Sequence, residues 1–190
     1  MAIRIPRKVG EEKVVAKVFS KILISQDYEM PKTGTVESYG KFKGKYISSF
    51  ILPLTSDGRV VVIRQYRMGP DEVVVELPGG NIMPGESPAN AAERELKEET
   101  GYQSGKIISL SNDLNICHDP ASSDISYYPF LCLDCVDTGK RNLDKHEDIE
   151  VDLMTWNDWL NAVYQIKSNS SYSIVTTLLA KPRLEKLGLI

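Results

Sequence analysis

Gly80-Asn81-Ile82-Met83-Pro84-Gly85-Glu86-Ser87-Pro88-Ala89-Asn90-Ala91-Ala92-Glu93-Arg94-Glu95-Leu96-Lys97-Glu98-Glu99-Thr100-Gly101-Tyr102 joins a glycine turn to an acid-rich helix. Ser87 is a good helix N-cap, Pro88 suits the first helical position and Gly101 closes the far end. Ala89, Ala92 and Leu96 share one face, which is assigned to the core. Glu95, Glu98 and Glu99 stand three and four residues apart, which brings their side chains within about 5–6 Å of one another at Cβ. Like charges so close repel, and Arg94, four residues before Glu98, offsets only part of that. A divalent cation would supply the missing charge, and oxygen donors select Mg²⁺ or Mn²⁺ over zinc. A solvated acidic face would place the same charges on the same helix.

Upstream, Val36 to Phe42 and Tyr46 to Leu54 are rich in aromatic and β-branched residues and read as strands. Ser56-Asp57-Gly58 is a hairpin turn, because glycine tolerates positive φ there. The return strand, Arg59 to Tyr66, carries Val60 to Ile63 as an unbroken apolar run, the pattern of a strand covered on both faces. Val73 to Leu77 is a further strand and runs into Pro78-Gly79-Gly80, a sharp turn that lets the backbone approach something closely. Beyond the acidic helix, Ile107 to Leu110 and Ser126 to Val136 read as strands and Asp137 to Asp148 as a long exposed loop. Trp156 to Tyr164 and Ser173 to about Leu187 read as helices, the second with a break at Pro182. The expectation is a mixed α/β domain with one helix clasped between strands.

Composition narrows the function. The 190 residues carry 23 basic and 26 acidic side chains, well mixed, for a formal charge of −3. That balance speaks against nucleic acid or an anionic membrane as partner. The start, Met1-Ala2-Ile3-Arg4-Ile5-Pro6-Arg7-Lys8, lacks the apolar run of a signal peptide, and no stretch approaches the ~18 apolar residues of a membrane span. A cytoplasmic protein is expected. Cys132 and Cys135 form a C-x-x-C spacing, yet side chains three apart on a strand point to opposite faces, so they are read as small buried apolar residues.

From Gly80, five residues lead to Glu86 and seven more to Arg94-Glu95-Leu96-Lys97-Glu98-Glu99-Thr100-Gly101-Tyr102. This resembles the Nudix box, G-x5-E-x7-R-E-U-x-E-E-x-G-U with U apolar, over all 23 residues, Tyr102 standing where an aliphatic residue is usual. The resemblance implies an α/β/α sandwich, here with a small N-terminal β-rich segment (residues 1–53) before a hydrolase domain (54–190). It implies Glu95, Glu98 and Glu99 as metal ligands, joined by the Gly79 carbonyl, with Glu86 and Arg94 locking the loop onto the helix.

Three flanking segments are similar to the ADP-ribose pyrophosphatase and nucleotide-sugar branch. Arg64-Gln65-Tyr66-Arg67 resembles that branch's Q-x-R, implying that Arg67, with Arg64, meets substrate phosphate. Glu76-Leu77-Pro78-Gly79-Gly80 looks like its E-x-P-A-G, with Gly79 for alanine and Glu76 at the substrate. Glu147-Asp148-Ile149-Glu150-Val151 is similar to the loop that brings a late glutamate over the site. Lys145 stands where the branch often places a general base, which leaves Glu147, beside Glu98 and Glu99, as the catalytic candidate. Pro120 lies 18 residues past Tyr102, against about 16 for the branch's proline, and His118 in the same loop reads as structural.

The implied reaction is Mg²⁺-dependent cleavage of a nucleoside diphosphate sugar, ADP-ribose first, to AMP and ribose 5-phosphate. The alternatives are GDP-mannose or UDP-sugars, dinucleoside polyphosphates or nucleoside triphosphates, or a non-catalytic nucleotide-sugar sensor. The branch also implies a homodimer in which the N-terminal segment is exchanged.

Overall fold

The strands around Ile51, Val61 and Leu131 bury both faces, so each must be covered twice, and the chain supplies helices for both sides. The computed structural model describes residues 3–18 and 21–190; the Met1-Ala2 start, read above for a leader, lies outside the described residues. Contacts divide the chain into two units, Met1–Ile47 with Cys117–Ser126, and Ser48–Ile116 with Tyr127–Ile190. Among the described residues, no helix is long and apolar enough to cross a membrane.

In the first unit β1 (Arg7–Val18), β2 (Lys21–Glu29) and β3 (Val36–Gly44) form an antiparallel sheet in that order. The segment 117–126 joins it through Phe42 N–H donating to Ser122 O at 2.8 Å and Asp124 N–H donating to Phe42 O at 3.1 Å. Sequence periodicity identified only β3. Lys and Glu interleave with valine along β1, which is exposed on almost every residue, so no buried face imposes a pattern.

The second unit is a mixed sheet. β4 (Ser48–Thr55) turns through Ser56-Asp57-Gly58 into β5 (Arg59–Arg67), with Gly58 at φ +79° and its N–H donating to Thr55 O. β6 (Glu72–Glu76) pairs antiparallel with β5, and β7 (Gly79–Asn81) with β4. The acidic helix α1 (Pro88–Glu95) follows, then β8 (Tyr102–Gln103), β9 (Lys106–Ser109), β10 (Ile116–Cys117) and β11 (Ser126–Asp137). β11 lies parallel to β4 and antiparallel to β8 and β9. β12 (Ile149–Thr155) lies antiparallel to β5 and leads into α2 (Trp156–Tyr164) and α3 (Ser171–Leu187).

Alternate residues explain the layers. Leu52, Val60, Val62, Leu131 and Leu133 pack with Trp156, Trp159, Ala162, Ala180 and Leu184 of α2 and α3. Their neighbours Ile51, Val61, Phe130 and Cys132 pack with Ala92, Leu96 and Tyr102. Helices on both faces of one sheet make the expected α/β/α sandwich.

Four local expectations change. The acidic helix is not α-helical to Thr100: Leu96–Thr100 widens into a π-turn, capped by Gly101 at φ +80°. Pro182 does not break α3, which runs on to Leu187. The loop similarity at 147–151 holds only for Glu147 and Asp148, since Ile149 already belongs to β12. Cys132 and Cys135 do not face opposite ways. Cys132 pairs with Pro53 and Cys135 with Thr55, so three steps on β11 match two on β4, and the extra residue restores both thiols to one face.

Trp159 is fully buried and its indole N–H donates to Thr177 Oγ1 at 2.9 Å, tying α2 to α3. Trp159→Ala is expected to cost about 3–5 kcal/mol, read as a lowered urea midpoint.

Candidate functional site

The site grows from the Gly79-Gly80 turn, which the sheet holds tightly. A Cβ on Gly79 would meet Ser49 O at 2.4 Å and Phe50 Cα at 2.8 Å, both backbone atoms. A Cβ on Gly80 would meet the Glu95 carboxylate at 2.4 Å. Backbone crowds the space at Gly79, so the fold requires glycine there, whereas at Gly80 it is a side-chain carboxylate that would have to move.

Arg94 organises the carboxylates. Its Nε and Nη2 bind the two oxygens of Glu86 at 2.9 and 3.0 Å, while Nη1 donates to Glu95 at 2.8 Å and Glu98 at 2.9 Å. Nη2 also donates to Asn81 O at 2.8 Å. Such a fork uses the planar guanidinium fully. The Arg94 side chain holds Glu86 below the usual carboxylate range, and the Met83 N–H adds a donor at 3.0 Å.

Glu99 differs from its neighbours. The π-turn and the core behind it leave the residue 3% exposed, and its carboxylate accepts the Gly79 N–H at 2.8 Å. Burial pushes its pKa well up, against the Gly79 hydrogen bond, and the charges of Glu95 and Glu147 push it further. Burial also raises Glu95, with Arg94 opposing and Glu98 and Glu147 adding repulsion. These carboxylates are hard-oxygen donors short of positive charge, the chemistry a divalent cation takes, although among the described residues no three acidic, His or Cys side chains are gathered so as to hold an ion.

Glu147 belongs to this electrostatic group, although its own carboxylate also accepts the Asp144 N–H at 2.9 Å. The loop before it is tied to the helix end, Thr138 N–H donating to Gly101 O at 2.9 Å and Asn142 N–H to Glu98 O at 3.0 Å. Lys145 is exposed.

Arg67 and Arg64 part company, as residues three apart on a strand must. Arg67 Nε donates to the buried Glu76 at 2.5 Å, and its charge reaches Glu99. Arg64 instead pairs with Asp152 on β12 at 3.0 Å. Burial raises Glu76 against the pull of Arg67 and a hydrogen bond from the Ser170 side chain.

Ser170 caps α3, Ser173 Oγ accepts the Leu77 N–H at 2.8 Å, and the Tyr172 ring stacks on Phe50 at 4.4 Å. These α3 residues were missed in the sequence. They lie almost a hundred residues from Glu76 and carry no local motif.

In the first unit, Pro120 lines a cavity of about 470 Å³ with Gln26, Tyr28, Tyr39 and Lys41. His118 is exposed, and its backbone N–H donates to Ile125 O.

Comparison with known proteins adds independent findings. A NUDIX domain profile matches residues 45–172. An ADP-ribose pyrophosphatase of Bacillus subtilis (strain 168) is 32% identical over 160 residues, 80% of this chain and 83% of that one. A Mus musculus ADP-sugar pyrophosphatase is 42% identical over 65 residues, 34% of this chain and only 28% of that one. In fold, a crystal structure of an ADP compounds hydrolase superposes over 100% of both chains with a TM-score of 0.86 at 20% identity.

The two glycines should respond differently to alanine. Gly79→Ala meets backbone and should give little folded protein. Gly80→Ala meets a side-chain tip and should fold, with Mg²⁺ binding by calorimetry weakened at least tenfold.

Raised carboxylates also fix a pH response. The metal-free fold binds these protons more tightly than the unfolded chain, so its stability should fall as pH rises from about 4.5 through the raised values. The stabilisation by Mg²⁺ should grow over the same range, because the ion displaces those protons. Thermal melts between pH 5 and about 8, with and without Mg²⁺, check both.

Proposed function

Because the chain belongs to the Nudix family of hydrolases, its domain profile matching residues 45–172, we propose that it cleaves the diphosphate bond of a nucleoside diphosphate sugar. ADP-ribose is the foremost substrate and AMP and ribose 5-phosphate the products. The observation that carries the reaction is the buried Glu99 carboxylate, repelled by the half-buried Glu95 and Glu147. Similarity to the B. subtilis ADP-ribose pyrophosphatase over most of both chains supports the substrate.

Glu95, Glu98, Glu99 and the Gly79 carbonyl would hold Mg²⁺ or Mn²⁺. When bound, the ion neutralises the diphosphate, polarises the phosphorus and lowers the pKa of a bound water. Glu86 and Arg94 keep the loop and helix in register while the ligands work. Arg67 meets a substrate phosphate, its guanidinium aimed by Glu76. Glu147 takes the proton of the attacking water, and its place in the same electrostatic group as Glu95 and Glu99 supports that role. Arg64, committed to Asp152, contributes less than Arg67.

The reading includes a cytoplasmic homodimer that exchanges strands of the N-terminal β-rich segment (residues 1–53), those that precede β4. Exposed Val14, Val15, Val18, Val36, Tyr39 and Phe42 on those strands support it, because apolar side chains gathered on one small sheet call for cover. Light scattering should report twice the 21.3 kDa chain mass.

Turnover of ADP-ribose, GDP-mannose, UDP-glucose and NADH with Mg²⁺ tests the central claim; inactivity on all four would sink it. Glu99→Gln should lower kcat about 10²–10³-fold while the fold persists. A sensor would instead keep its ligand affinity in that variant. Arg67→Ala should raise KM more than it lowers kcat, and Arg67→Lys should not restore it, since lysine lacks the fork.

A further inference from the structure

The sulfurs of Cys132 and Cys135 lie 2.8 Å apart, and the function proposed above makes no use of them. The β11 bulge creates this pair. Asp134 takes a left-handed conformation at φ +56°, and Gly105 packs beneath it, where a Cβ would meet Asp134 Cβ at 2.9 Å. Without the extra residue the two thiols would sit on opposite faces of the strand. All three cysteines are reduced, Cys117 being the exposed one.

We propose that Cys132 and Cys135 form a reversible intrachain disulfide when the protein meets hydrogen peroxide. A disulfide needs its sulfurs about 2.05 Å apart, so the existing separation closes by less than about 1 Å. The balance is simple. One sulfur of the pair, as its thiolate, attacks the peroxide O–O bond, giving a sulfenic acid and water once the protons are placed. The other sulfur then attacks that sulfenic sulfur, the S–S bond forms and a second water leaves. Two thiols give up two electrons, and one peroxide is reduced to two waters.

The surroundings select this oxidant. Cys132 is fully buried and Cys135 is 3% exposed, while Asp134 and Val136 beside Cys135 are exposed. A small neutral molecule can reach them through local opening, whereas a protein disulfide cannot. Cys135 donates its S–H to Cys132, and that hydrogen bond together with burial pushes the Cys135 thiol up. The pair packs in the layer that also holds Ala92, Leu96 and Tyr102, behind the acidic helix.

Cys117→Ser leaves Cys132 and Cys135 as the chain's only thiols and removes the exposed one. The folded variant is treated with hydrogen peroxide, unfolded, alkylated with iodoacetamide and weighed intact. The expected product has lost the mass of two hydrogens, takes up no alkyl group, and takes up two after dithiothreitol. Full alkylation after peroxide, added oxygen in place of lost hydrogen, or a disulfide between two chains would each overturn the proposal. Cys135→Ser in the same background should abolish the mass loss. If that variant does not fold, the Cys117→Ser result decides alone.

Discussion

One guanidinium holds the site together. Arg94 reaches Glu86 in the loop, Glu95 and Glu98 on its own helix, and the Asn81 carbonyl at the turn. Three carboxylates with no cation among them would push loop and helix apart. With Arg94 between them they become a brace, and the turn at Gly79-Gly80 is pinned against Glu95 and Glu99. Glu99 stays outside the Arg94 network and faces the Gly79 N–H instead. That division leaves Glu86, Glu95 and Glu98 sharing one guanidinium, while Glu99 is buried against a backbone N–H.

The brace works because the sheet beneath it is rigid. β4, β5 and β11 send alternate side chains to opposite helical layers, so neither face can shift without disturbing the other. α1 and the π-turn rest on one layer, α2 and α3 on the other. The start of α3 also returns to the site, where Ser173 accepts from Leu77 and Ser170 supports Glu76. The end of the chain thus positions the partner of Arg67. A C-terminal helix that reads as simple cover is also part of the wall that orients Arg67.

Local chemistry made much of this legible. Ser87, Pro88 and Gly101 mark their helix because caps act through neighbouring backbone groups. Val60 to Ile63 announce a doubly covered strand, and all four are fully buried. β1 was not legible, since an exposed strand of mixed Lys, Glu and Val has no periodic face. β12 was not legible either, because the approach to it is polar and its pairing with β5 is long-range. The π-turn has no residue signature either, as Leu96-Lys97-Glu98-Glu99-Thr100 would serve equally in an α-helix.

By itself, the sequence determined the family, the spacing of Glu86, Arg94, Glu95, Glu98 and Glu99, and the α/β/α layering. The spacing is short-range chemistry, and the family and its layering follow from the resemblance that this spacing carries. Only the tertiary structure decided that Glu99 is the buried carboxylate, that Arg67 faces Glu76 while Arg64 faces Asp152, and that Cys132 meets Cys135. Burial, charge pairing and strand register arise from segments far apart in the chain. Residue type states what a side chain can do, and packing states which one has to do it.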